Sequence, residues 1–80
     1  MKMSWWISDE GEFVENAPPG YTPTAQNLER LYEIYGIARN PTEDANTLRD
    51  GKSLSVYTAS YYAYKSISIT PHGIEFNERD

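Results

Sequence analysis

The stretch Leu54-Ser55-Val56-Tyr57-Thr58-Ala59-Ser60-Tyr61-Tyr62-Ala63-Tyr64-Lys65-Ser66-Ile67-Ser68-Ile69-Thr70 decides the fold, because two secondary structures compete for it. Its Ser, Val, Tyr and Thr residues favour strand by propensity. Yet no Gly, Pro, Asn or Asp interrupts it, and one strand of that length would be unusual. Val56, Ala59, Ser60, Ala63, Tyr64 and Ile67 also form a stripe at helical spacing. The stripe predicts a helix over 55–65, followed by a strand over Ile67-Ser68-Ile69-Thr70.

Working outward toward the C-terminus, Pro71-His72-Gly73 is a turn and Ile74-Glu75-Phe76 returns as the partner strand. The tail 77–80 is expected to fray. Toward the N-terminus, Asn40 caps a helix that Pro41 starts, and Glu43 stands three residues after the cap, as in a capping box. Glu43 and Asp44 complement the helix N-terminus and Arg49 the C-terminus. Gly51 stops it. Asp50-Gly51 is also a strong hairpin turn. That turn would pair Leu48 with Ser53 and put Leu54 and Val56 on the other face, which scatters the apolar residues. The helix is therefore preferred.

An earlier helix has the clearest signature. Thr22 can cap, with Pro23 in the first helical position. Leu28, Leu31, Tyr32 and Tyr35 make one apolar stripe. Gly36 follows as a left-handed stop, and Ile37 can pack back on Tyr32. Before a breaker cluster at Asn16-Ala17-Pro18-Pro19-Gly20, residues 3–15 read as a hairpin. Trp5, Trp6, Ile7, Phe13 and Val14 favour strand, around the polar turn Ser8-Asp9-Glu10-Gly11. Together the segments predict one α+β domain over residues 1–80: an N-terminal hairpin, two to three short helices and a C-terminal hairpin, or alternatively helices packed on one antiparallel sheet.

From residue 23 to 76 this order resembles a winged helix-turn-helix domain, with Ile67–Phe76 similar to the closing wing hairpin. The resemblance implies a transcriptional regulator whose third helix reads DNA. The residues that would do so, Ser55 to Lys65, offer Tyr and Ser with one cation, whereas base reading uses Arg, Lys, Asn or Gln. The basic part of the chain, with Arg39, Arg49, Lys52 and Lys65, would have to supply the contacts.

Charge argues for a different partner. The chain has 80 residues, 12 acidic and 7 basic, net −5. Residues 1–38 set Lys2 and Arg30 against Asp9, Glu10, Glu12, Glu15, Glu29 and Glu33, net −4; residues 39–65 are net +1 and 66–80 net −2. A negative surface repels phosphates and attracts cationic partners, so direct nucleic-acid binding is disfavoured.

Catalytic chemistry finds little support. His72 is the one histidine and sits in a turn. No nucleophile elbow, glycine-rich phosphate loop or calcium-loop spacing is present. With no Cys, disulfides and thiolate zinc sites are excluded. The expectation is a non-enzymatic protein with no metal and no cofactor. A disulfide-free chain suits the cytoplasm. The apolar run around Trp5 is too short for a signal peptide, and no stretch approaches the ~18 apolar residues of a membrane span.

Two features can carry binding. Asp9, Glu10, Glu12 and Glu15 form a dense acidic run, joined by Glu29 and Glu33 one helical turn apart. Held on a rigid frame, such carboxylates mimic phosphates and fit a basic channel. In size and charge the chain resembles small inhibitors of phages and mobile elements, such as anti-restriction and anti-CRISPR proteins. The second feature is aromatic: 14% of residues, Tyr seven times. Trp5 and Trp6 face opposite sides of a strand, so one can enter the core while the other is exposed. Tyr57, Tyr61, Tyr62 and Tyr64 cannot all face one way, and the exposed ones suit interface anchors. The sequence therefore predicts a cytoplasmic protein-binding module, monomer or homodimer, that blocks a basic nucleic-acid-binding surface.

Overall fold

Local signals build most of the elements. The computed structural model describes residues 5–8, 12–15, 17, 20–58 and 64–78, the side chains of Glu15 and Tyr64 excepted. Strands β1 (Trp5–Ile7) and β2 (Phe13–Glu15) pair antiparallel, Trp5 opposite Glu15 and Ile7 opposite Phe13. The ladder continues one step further, where the Ser8 N–H donates to the Glu12 carbonyl at 2.9 Å. This is the expected N-terminal hairpin.

Helix α1 (Ala25–Tyr35) starts two residues later than Thr22 and Pro23 suggest. Its cap is Thr24. The Thr24 hydroxyl accepts from the Asn27 N–H, and the Asn27 side-chain oxygen accepts from the Thr24 N–H, both at 3.2 Å. This reciprocal pair satisfies two otherwise orphaned donors, which a cap at Thr22 would leave to water. The predicted stripe holds: Leu28, Leu31 and Tyr32 are buried and Tyr35 half-buried. Gly36 ends the helix in the left-handed conformation, φ 63°. There the Ile37 N–H donates to the Tyr32 carbonyl at 2.9 Å.

Helix α2 (Pro41–Arg49) follows the sequence closely. The Asn40 side-chain oxygen accepts from the N–H groups of Thr42 and Glu43 at 3.0 and 3.2 Å, with Pro41 in the first position. Asp50 is its C-cap, and Gly51 turns away at φ 83°. The rival hairpin turn at this dipeptide does not form.

The helix expected over 55–65 is where the structure departs from the sequence reading. Leu54–Tyr57 is strand β3, and Tyr64–Thr70 is strand β4, which takes in Tyr64 and Lys65. The two pair antiparallel, Leu54 with Ile69 and Val56 with Ile67. Beyond Tyr57 the Thr58 N–H still reaches the Lys65 carbonyl at 3.2 Å. Residues 59–63 lie outside the described residues. The reason for the correction is period. Leu54, Val56, Ile67 and Ile69 all fall on one face when the repeat is two, and three of the four are buried. The helical stripe needed small Ala and Ser residues to complete it.

Strand β5 (Gly73–Glu78) returns from β4 through Pro71-His72, as expected. Thr70 holds this turn: its hydroxyl accepts from the His72 N–H and donates to the Gly73 carbonyl, both at 3.1 Å. Asn77 and Glu78, expected to fray, belong to the strand. Asn77 is fixed by donating its side-chain N–H groups to the Ser66 and Ser68 hydroxyls at 3.1 and 3.0 Å. A register shift in β4 between Tyr64 and Ser66 lets Tyr64 oppose Glu78.

The five strands form one antiparallel sheet in the order β2-β1-β5-β4-β3. Strand β1 docks on β5 through Trp5 and Ile74. The helices connect one edge, β2, to the other, β3. Leu28, Leu31, Tyr32, Ala45 and Leu48 share a core with Ile7, Val56, Ile67, Ile69 and Ile74, so both helices cover a single sheet face. The fold is α+β, with helices packed on one antiparallel sheet. Each of the fully buried Leu and Ile side chains contributes roughly 1.5–3 kcal/mol through loss of contact with water.

Candidate interaction surface

The face of the sheet turned away from the helices is set by the pleat. Registers align Tyr57, Ser66 and Asn77 in one row and Ser55, Ser68 and Glu75 in the next. Both rows are polar, and the Asn77 amide bridging the two serines makes the surface rigid. Sequence reasoning did not find this ladder; its signal was the alternation of Ser with Ile from Ser66 to Ile69. At the edge stands Tyr57, 78% exposed. Since the Thr58 N–H points at β4, alternation turns the backbone N–H and C=O of Tyr57 and Ser55 outward. Val14, on the opposite edge, is 36% exposed.

The tryptophans divide by side, as the pleat requires, but neither is exposed. Trp5 faces the helices and packs edge-on against Phe76, ring centres 6.0 Å apart. Phe13 and Tyr35 join Phe76 at 5.9 and 5.7 Å, closing that end of the core. Trp5 is thereby a packing residue, not a surface anchor. Trp6 is half-buried on the other side, edge-on to Tyr21 at 5.3 Å. Its indole N–H is fully buried and has no hydrogen-bond acceptor among the described residues. Leaving such a donor unsatisfied costs about 1–3 kcal/mol.

The carboxylates are only partly brought together. Glu29 and Glu33 are exposed one turn apart on α1. Arg30 lies 3.8 Å from Glu33 with both side chains largely in water, a contact of little energetic weight. Glu12 is exposed on a separate element, leading into β2, where its N–H donates to the Ser8 hydroxyl at 3.3 Å. Glu15 lies in β2 opposite Trp5. Asp9, Glu10, Tyr61 and Tyr62 fall outside the described residues. Tyr64 takes its place in β4 by backbone alone.

The strongest electrostatic feature was not anticipated. Asp44, buried in the first turn of α2, accepts from the Tyr32 hydroxyl of α1 at 2.6 Å. It also takes two bonds from the Arg39 guanidinium, Nε at 2.8 Å and Nη2 at 2.9 Å. This forked pair holds the Asp44 carboxyl below the usual carboxylate range, against the opposing effect of burial. Arg39 is correspondingly held above its ordinary value, chiefly by its hydrogen bonds to Asp44. Burial first, and then the bond to Asp44, raise the Tyr32 hydroxyl. The Tyr32 hydroxyl, both Asp44 carboxylate oxygens and the Arg39 Nε and Nη2 have their partners inside the domain. The arrangement locks α1, the connection and α2 together, and it occupies one of the four cations that a DNA-contacting surface would draw on.

Among the described residues no group of three His, Cys, Asp or Glu side chains could hold a metal ion. His72 is exposed in the β4–β5 turn. No helix among the described residues is long and apolar enough to cross a membrane. No protein-family model, curated protein or solved structure matches the chain.

Proposed function

We propose that the chain is a non-enzymatic protein-binding module that sets carboxylates and an exposed tyrosine against a basic surface, of the kind nucleic-acid-binding complexes present. It would act as an inhibitor by occupying that surface, in the manner of small acidic proteins of phages and mobile elements. The observation that carries this reading is the state of α1: Glu29 and Glu33 stand in water one turn apart, with Arg30 3.8 Å from Glu33 as the one ion pair to them among the described residues, in a chain of net −5. Exposed negative charge on a rigid helix is ready for a cationic partner and steers its approach. Tyr57, 78% exposed on β3, supplies aromatic area of the type enriched in interface hot spots.

The test is competition. A partner isolated by affinity capture is loaded with labelled duplex DNA, and fluorescence anisotropy follows release of the DNA as the chain is added. Displacement should weaken when Glu12, Glu29 and Glu33 are all changed to Lys, and should fall with added salt. Displacement by the reversed variant equal to that of the parent chain refutes charge mimicry. A mobility shift of duplex DNA by the chain alone at low salt points instead to a transcriptional regulator using Arg49, Lys52 and Lys65.

A further inference from the structure

The Asp50–Gly51 peptide closes α2, and both residues are exposed. Aspartyl-glycine is the dipeptide in which a side-chain carboxyl reaches the following main-chain nitrogen with least hindrance, since Gly has no Cβ. In a freely rotating chain the Gly51 nitrogen attacks the Asp50 side-chain carboxyl carbon. A C–N bond forms, a C–O bond breaks, and water leaves with the amide proton, giving a five-membered imide. Water then adds back to one of the two imide carbonyls. Addition at the main-chain carbonyl reroutes the backbone through the Asp50 side chain as a β-linked aspartate. Atoms balance, with water as the one co-reactant.

The folded turn opposes the first step. Asp50 has ψ 4°, which eclipses the Gly51 nitrogen with the nitrogen of Asp50 itself. Ring closure needs that nitrogen eclipsed with Asp50 Cβ. The Gly51 N–H is engaged, donating to the Leu48 carbonyl at 2.9 Å. On either side, the Asp50 N–H donates to Asn46 at 3.1 Å and the Lys52 N–H to Thr47 at 3.2 Å, so ψ cannot turn alone. We propose that Asp50–Gly51 is a self-modification site gated by the last turn of α2, isomerising only when that turn opens. The product carries one extra main-chain carbon between Asp50 Cα and Gly51. It cannot rebuild this cap, and it displaces the entry of Leu54 into β3. Opening thus becomes irreversible at the point where α2 hands the chain to the sheet edge.

The experiment incubates the full chain at neutral pH, folded in buffer and unfolded in urea, and quantifies β-linked aspartate at residue 50 by electron-transfer fragmentation. The folded chain should react at least ~tenfold more slowly, equivalent to ~1.4 kcal/mol of opening free energy. Arg49→Gly, an exposed change that loosens the last turn, should speed the reaction in buffer while circular dichroism shows the fold intact. Gly51→Ala should slow it in urea. Equal rates with and without urea overturn the gate, and so does an unchanged rate in folded Arg49→Gly. Absence of the product in urea overturns the site.

Discussion

Replacing Asp44 by Ala tests the reasoning about α1 and α2 most sharply. The substitution removes the acceptor of the Tyr32 hydroxyl and the forked partner of Arg39 together. The first loss is the larger. Tyr32 is buried, and a hydrogen bond to a charged group contributes about 1.5–3 kcal/mol. The second is discounted, because the Arg39 side chain is 44% exposed and water resolvates it, leaving roughly 0.5–1 kcal/mol. The sum, about 2–4 kcal/mol, is a large fraction of the stability of a small domain. At ~4–8 °C per kcal/mol it lowers Tm by at least ~8 °C. Urea unfolding followed by tryptophan fluorescence measures it directly. The pH profile adds a second readout. Asp44 is depressed in the folded state, so its contribution is present above its unfolded value of ~3.9 and is lost as pH falls through the lower folded value. Tyr32 is raised, so its contribution is present below the unfolded value of ~10 and is lost as pH rises beyond it. The parent chain should show both losses, and Asp44→Ala should flatten the acid one. A loss under ~0.5 kcal/mol, or an acid limb unchanged by the substitution, would show that the trio contributes nothing to helix docking.

Three further outcomes are expected. Trp6→Phe removes a buried donor that has no acceptor among the described residues, so the relief offsets the lost ring area and urea stability should change by under ~1 kcal/mol; a loss above ~2 kcal/mol would mean the indole N–H is bonded after all. Thr24→Ala removes the hydroxyl that accepts from the Asn27 N–H, leaving the half donated by the residue 24 backbone N–H, and should lower stability by about 1 kcal/mol, while Thr22→Ala, at the residue the sequence favoured as cap, should change it less. Tyr57→Ala should leave stability within ~0.5 kcal/mol, because the ring lies mostly in water, yet should weaken partner binding by at least ~1 kcal/mol in the competition assay.

The sequence by itself determined whatever depends on near neighbours. The Asn40-Pro41 helix start, the Gly36 stop, the stripe from Leu28 to Tyr35 and the turn at Pro71-His72-Gly73 rest on interactions within a few residues, and all formed. The acidic balance is likewise a property of composition. Only the tertiary structure decided Leu54–Tyr57. A short run of Ser, Val, Tyr and Thr supports either period until partner strands claim its backbone, and those partners lie beyond residue 64. The order β2-β1-β5-β4-β3 is equally non-local, since it joins the first strand to the last. So is the Tyr32–Asp44–Arg39 lock, whose acid and base looked like helix-end and surface charges in the sequence. The identity of a charged residue is local, whereas its partner is fixed by which helices the sheet holds side by side.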